Sequence, residues 1–146
     1  MRLSIIIPVF NEVNTIEQIV KKVRNQQIKN IEIIVVDDCS TDGTKKILED
    51  KLFKDVDKII YHKNNKGKGA AIQSAQKFIN GDFVIIQDAD LEYDPNDYIN
   101  LIKPINTHNA KVVYGSRVVK KNRYNSKNFI SLYRIFFNHI LTMVSN

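Results

Sequence analysis

Five short runs rich in β-branched residues recur along this chain, and each leads into a cluster of polar residues. Residues 3–7 lead through Pro8 to Asn11-Glu12, 31–36 to Asp37-Asp38, and 57–61 through Asn64-Asn65 to Lys66-Gly67-Lys68-Gly69. Residues 83–87 run into Asp88-Ala89-Asp90, and 111–114 into Gly115-Ser116-Arg117. Such runs read as buried strands. The stretches between them read as helices. Residues 14–23 set Ile16, Ile19, Val20 and Val23 at helical spacing behind a cap at Asn14 or Thr15. Residues 41–52 start from the Ser40-Thr41-Asp42-Gly43 turn, 69–79 are Ala-rich and closed by Asn80-Gly81, and 96–102 run up to Pro104. Strands alternating with helices predict an α/β domain: a mostly parallel central sheet with helices on both faces. Ligands bind such sheets at the carboxyl ends of the strands. All five polar clusters fall at that edge.

The totals bound the possibilities. With 146 residues the chain fits one domain, residues 1–146, and 43% hydrophobic content is enough for a core. Cys39 is the only cysteine, which excludes a disulfide framework and a cysteine zinc site and fits a reducing compartment. The apolar run at the start ends at Pro8, too soon for a signal peptide, and no stretch approaches the ~20 apolar residues of a membrane span. Charge is unevenly spread. All 16 acidic residues lie at or before Asp97, while Lys103, Lys111, Arg117, Lys120, Lys121, Arg123, Lys127 and Arg134 follow it with no acid among them. An acidic part followed by a basic part suits a metal together with a polyanion; a basic tail also suits nucleic acid or an anionic membrane.

Asp88-Ala89-Asp90 carries the most chemistry. Two carboxylates two residues apart share a face of an extended backbone, and a hard divalent cation is the usual relief of their repulsion. Glu92 is next on the same period. In isolation the pair reads more readily as a polar strand end entering the turn at Asp94-Pro95; the clusters at the other strand ends reverse that. Asp38, just past a buried strand, can accept hydrogen bonds from a base or ribose, whereas Thr41 and Asp42 read as turn and cap residues. The Lys66–Gly69 segment opens a helix and lets backbone approach an anion, but it matches neither a P-loop nor a dinucleotide fingerprint. Cys39 reads as a small filler and Tyr93 and Tyr98 as packing residues. His62, His108 and His139 receive no role.

The motifs taken together resemble a known family. Ile-Ile-Ile-Pro-Val-Phe-Asn-Glu (5–12), Val-Val-Asp-Asp-Cys-Ser-Thr-Asp-Gly-Thr (35–44), Asn-Lys-Gly-Lys-Gly-Ala-Ala (65–71), Asp-Ala-Asp-Leu-Glu-Tyr-Asp-Pro (88–95) and Tyr-Gly-Ser-Arg (114–117) are similar to the family 2 glycosyltransferases of the GT-A fold. The resemblance is to their polyprenyl-phosphate sugar transferases, and it spans nearly the whole chain in order. It implies inverting, metal-dependent transfer from a GDP-mannose or UDP-glucose type donor to a polyprenyl phosphate. Pro8, Phe10 and Glu12 would line the nucleotide pocket, and Val36 and Asp38 would flank the base. Asp88 and Asp90, with Ala89 between them, would hold Mg²⁺ or Mn²⁺ and the donor diphosphate, with Glu92 a further ligand. Arg117 and Arg134 would meet phosphate oxygens, and Lys66 is an expected anion contact. Asp90, Arg117 and Arg134 are thus the expected catalytic residues.

The tail sharpens the acceptor. Hydroxyl acceptors need a general base, whereas a phosphate monoester is already anionic near neutral pH; the last 49 residues contain no carboxylate. Residues 128–146 read as an amphipathic helix, with Phe129, Leu132, Tyr133, Phe136, Phe137, Ile140, Leu141 and Val144 on one stripe. That stripe fits a core helix or a membrane-surface helix. The resemblance also implies that the C-terminal part of the family domain is missing, which admits a nucleotide-sugar-binding domain without turnover. A family member using a hydroxyl acceptor, a nucleotidyltransferase and a basic nucleic-acid-binding module are the other readings; the acidic cluster speaks against the last. The expected location is the cytoplasm, peripheral on the cytoplasmic face of a membrane.

Overall fold

The computed structural model describes residues 1–115. Residues 1–111 form one compact unit. Its elements are β1 (Leu3–Val9), α1 (Ile16–Arg24), β2 (Ile31–Asp37), α2 (Thr44–Asp50), β3 (Lys58–Tyr61), α3 (Lys68–Ala75), β4 (Phe83–Ile86) and α4 (Tyr98–His108). Short 3₁₀ turns, Gln76–Phe78 and Pro95–Asp97, extend α3 and lead into α4. The four strands form one parallel sheet in the order β3-β2-β1-β4. The expected α/β architecture is therefore present.

Side-chain alternation along the strands feeds two cores. Leu3, Ile5, Ile7, Val9, Ile33 and Val35 face α1, α2 and α4, whose Ile16, Ile19, Val20, Val23, Leu48 and Ile102 complete that layer. Ile6, Ile34 and Val36 face the other way, onto Ala71 and Ala75 of α3. Alanines there let the helix backbone lie close to the sheet. Every branched residue named in these layers is at least nine-tenths buried. Each fully buried one contributes about 1.5–3 kcal/mol relative to exposure.

β1 runs through Pro8, where the sequence predicts a strand end. Proline is unwelcome in a central strand because it has no N–H to donate. Here the loss is harmless. Ile6 turns its carbonyl toward β4, accepting the Gln87 N–H at 2.9 Å, while Val9 turns toward β2, accepting the Asp38 N–H at 2.8 Å. Pro8, two residues on from Ile6, therefore points its nitrogen toward β4 beyond the point where β4 has stopped.

The end of α4 and the fifth strand differ from expectation. The α4 helix does not stop at Pro104 but continues to His108. Proline removes an N–H, not a carbonyl, and the Pro104 carbonyl accepts the Ala110 N–H at 3.4 Å as Asn109 (φ 52°) closes the helix. The expected strand at 111–114 does not form. Val112 and Tyr114 are exposed and join no ladder, and β-branched residues favour a strand only where a neighbour packs against them.

A polar hub sits at the opposite, amino edge of the sheet. Glu32, buried within β2, accepts hydrogen bonds from Ser4 Oγ (2.5 Å), Asn80 N (2.9 Å), Asn80 Nδ2 (2.8 Å) and Arg2 Nη2 (3.0 Å). Burial pulls its carboxyl upward, but these donors and the Arg2 charge outweigh it and hold Glu32 below the usual range. Gly81 closes the hub. A Cβ there would lie 2.5 Å from Ser4 Oγ and 2.7 Å from Ser4 N, so only glycine fits.

Candidate functional site

The two ladders of β1 differ in length, and the difference opens the site. β1 pairs with β2 over seven residues but with β4 only over Leu3 to Ile6. It is also the point where the order of strands reverses, since β2 and β3 lie on one side of β1 and β4 on the other. Beyond Ile6 a crevice of about 260 Å³ separates the strand ends. The end of β1 lines it with Pro8, Phe10 and Glu12, the end of β2 with Asp38, and the end of β4 with Asp88, Ala89 and Asp90. Seven residues singled out from the sequence thus converge in one place. Val9 and, from α3, Lys68 and Ala71 complete the lining.

The loops after β1 and β2 are stitched together. Asn11 N–H donates to Ser40 Oγ (2.9 Å), and Asn11 Oδ1 accepts the Thr41 N–H (2.8 Å). Glu12 N–H donates to Thr44 Oγ1 (2.9 Å), and Glu12 Oε2 accepts from Thr15 Oγ1 (2.5 Å). Asp42 caps α2 through the Thr44 N–H (2.9 Å) and hydroxyl (2.6 Å) and also takes the Val13 N–H (3.0 Å). Asp42 is structural, as its cap-like setting suggests. Phe10, half exposed, and Glu12 are thereby held beside Asp38.

Asp38 is a clamp. Its buried carboxylate accepts the Lys66 N–H (2.9 and 3.1 Å), the Gly67 N–H (2.7 Å) and His62 Nδ1 (2.6 Å). His62 Nε2 lies 2.8 Å from Ser74 Oγ on α3. Gly67 can present its N–H here because its φ of 83° suits glycine. Burial raises the Asp38 carboxyl, but the Lys66, His62 and Gly67 donors outweigh it, so Asp38 lies below the ordinary range. The clamp fixes the start of α3 and therefore Lys68. Its ammonium reaches Asp88 Oδ1 at 2.5 Å across the crevice.

Three expected residues are placed differently. Val36 is fully buried between the sheet and α3, so it flanks no ligand. Lys66 contributes its backbone to Asp38 but does not line the crevice; Lys68, two residues later, does. Glu92 does not join Asp88 and Asp90. The strand ends at Ile86, Leu91 takes a left-handed conformation (φ 65°), and the Glu92 N–H turns back to Asp90 Oδ1 (3.0 Å), which breaks the two-residue period. Among the described residues no three His, Cys, Asp or Glu side chains gather as metal ligands. Arg117, Arg134 and the 128–146 segment lie outside the described residues. His62, given no role by the sequence, and the side chain of Lys68, expected only as part of the Lys66–Gly69 helix start, both act at this edge. Tyr98 does pack in the core, but its hydroxyl also donates to Gln87 Oε1 (2.6 Å).

Three of the five non-glycine residues with left-handed backbone among the described residues lie at this edge, Asn11 (φ 57°), Cys39 (φ 68°) and Leu91 (φ 65°); Asn30 and Asn109 lie elsewhere. Such strain concentrates at ligand sites. Leu91 offsets it by packing on the core. Asp88 and Asp90 offer hard oxygen donors, and the Lys68 ammonium already stands as a cation against one of them. Two carboxylates plus phosphate oxygens from a ligand form a familiar Mg²⁺ or Mn²⁺ environment, so the residues fit the ion.

A parallel sheet whose strand order reverses at an acidic crevice defines an α/β domain with its ligand site at the switch point, and its likeness to solved glycosyltransferases gives the fold as GT-A. The chain belongs to glycosyl transferase family 2, whose family profile matches residues 4–144. It is 35% identical over 121 residues to the dolichol-phosphate mannosyltransferase of Pyrococcus furiosus, covering 82% of this chain and 34% of that protein. It is 34% identical over 131 residues to the GalNAc(5)-diNAcBac-PP-undecaprenol beta-1,3-glucosyltransferase of Campylobacter jejuni, covering 88% of this chain and 42% of that one. Among solved structures it is similar to the mannosyltransferase PcManGT of Pyrobaculum calidifontis in complex with GDP-Man and Mn²⁺. The TM-score is 0.63 at 28% identity, over 71% of this chain and 32% of that chain. The chain therefore spans less than half the length of each of these three proteins.

Proposed function

We propose that this chain carries the donor-binding part of an inverting glycosyltransferase that moves a sugar from a nucleotide-diphospho-sugar to a polyprenyl phosphate. One observation carries the reading: two acids from the end of β4 face Lys68 from the start of α3, in one crevice of a family 2 fold. A leaving nucleoside diphosphate needs its growing negative charge met. Mg²⁺ or Mn²⁺ on Asp88 and Asp90 would supply Lewis-acid stabilisation of that charge when bound. Lys68 would exchange Asp88 for a phosphate oxygen, a charge-assisted contact. Pro8 and Phe10 would bound the nucleotide, Glu12 would line its polar side, and Arg117 and Arg134 would meet phosphates.

The Pyrococcus relative's name supports a polyprenyl phosphate acceptor, and the segment after Asp97 carries eight basic residues. Its basic residues suit an anionic membrane surface, which would seat the protein on the cytoplasmic face. The test incubates the chain with GDP-mannose or UDP-glucose, polyprenyl phosphate and Mn²⁺. Lipid-linked sugar is the expected product; transfer only to sugar hydroxyls overturns the acceptor. That second reading draws on the Campylobacter relative, named for β-1,3 transfer. Donor binding without any turnover would mark the chain as the binding part alone.

A further inference from the structure

The loop that carries Asp88 and Asp90 is held by one side chain that never touches the crevice. Gln87, 1% exposed, follows the last residue of β4. Its backbone N–H continues the ladder to Ile6 O (2.9 Å). Its amide nitrogen donates to the carbonyls of Asp88 (3.0 Å) and Tyr93 (3.0 Å), the two ends of the 88–93 loop. Its amide oxygen accepts the hydroxyl of Tyr98 (2.6 Å), the first residue of α4 and 2% exposed. Both amide hydrogens and the carbonyl are thus used, and the acidic loop is braced to a helix packed on the core.

The chemistry of position 87 is demanding. It must donate twice and accept once in a buried place. A glutamate carboxylate would face two carbonyls with no hydrogen to give, and a methionine of similar length would leave both carbonyls without this donor. Two adjacent carboxylates that share an ion also need outside support, because their repulsion spreads the loop when nothing positive lies between them. We infer that Gln87 and Tyr98 are positioning residues that set the Asp88–Tyr93 loop for a divalent cation and the diphosphate it meets. The inference rests on the reading of Asp88 and Asp90 as the ion site. Neither residue contacts the ion; each acts through the loop backbone, as outer partners of ligating carboxylates do.

The test titrates Mn²⁺ by electron paramagnetic resonance, with GDP or UDP present, into the wild-type chain, Tyr98→Phe and Gln87→Met, and records the melting temperature of each. Tyr98→Phe removes one oxygen and keeps the packing, so it serves if Gln87→Met does not fold. Wild type is expected to bind Mn²⁺, and Tyr98→Phe to bind it about 10-fold or more weakly while folded. Equal Mn²⁺ affinity in wild type and folded Tyr98→Phe, with only the melting temperature lowered, makes the brace structural and overturns the inference. No Mn²⁺ binding by wild type overturns the underlying reading of the two acids, and the inference with it. The two failures are thereby distinct.

Discussion

At the level of single residues, the crevice shows which functions can be read from residue type alone. Asp88, Asp90 and Asp38 stand out in the sequence as acids just past apolar runs, whereas Pro8, Phe10 and Glu12 are marked only by the family resemblance of residues 5–12. Lys68 stands out only as part of its cluster, not for its own side chain, and His62 does not stand out. Their roles depend on partners 20 and 24 positions away, Asp88 and Asp38, and no local pattern encodes that distance. Val36 shares its strand face with Asp38 but lies two residues deeper in the sheet, where Ala71 and Ala75 of α3 cover it completely. The Lys68–Asp88 pair gives a prediction with two signs. Lys68→Met removes the cation that competes for Asp88, so Mn²⁺ alone should bind more tightly. It also removes a phosphate contact, so GDP or UDP with Mn²⁺ should bind about 10-fold more weakly, or ~1.4 kcal/mol. Calorimetric titration of both ligands checks this; a loss of Mn²⁺ binding would contradict it. Asp90→Ala should abolish the melting-temperature rise that GDP- or UDP-sugars give with Mn²⁺, because that rise follows ligand affinity for the folded state.

At the level of elements, four of the five expected strands form, and helix ends are the less legible part. β1 and β2 are buried almost throughout, as their apolar composition suggests, whereas β3 and β4 are only partly buried, with Val84 and Ile86 exposed. Helix ends are set by single hydrogen bonds. Residues 41–43 look like a helix start, yet Asp42 takes the Thr44 N–H and Gly43 (φ 104°) begins the helix at Thr44. Pro104 looks like a stop, yet it sits inside α4 at the cost of one donor. Pro104→Ala should restore that donor and raise stability by about 1–3 kcal/mol, since proline costs about 3 kcal/mol in a helix interior and gives some back by stiffening the unfolded chain. Urea unfolding measures it, and an unchanged midpoint would show that Asn100 gains nothing from an N–H at 104.

At the level of the whole molecule, the two edges of the sheet divide the work. The carboxyl edge holds the crevice, and the amino edge holds the Glu32 hub, which the sequence hides because one acid within an apolar strand reads as a minor interruption. Glu32, Asp38, Asp42 and Asp94 all lie below the ordinary carboxylate range. Groups of this kind stabilise the fold fully above their unfolded values, near 4, and that stability is lost as pH falls through the lower folded values. Stability should therefore be level above about pH 5 and fall steadily below pH 4. In Glu32→Gln the fall should be shallower and the neutral-pH stability lower by about 1–3 kcal/mol, because a buried polar network is left mismatched. Urea midpoints across pH test both. The unequal ladders of β1 also order events in time. Leu3 meets Ile31 across 28 positions of chain but Phe83 across 80. Closing the longer loop costs more entropy and comes later. Pulse-labelled amides of β1 and β2 should thus gain protection before those of β4, so the acidic loop docks onto a framework that has already formed.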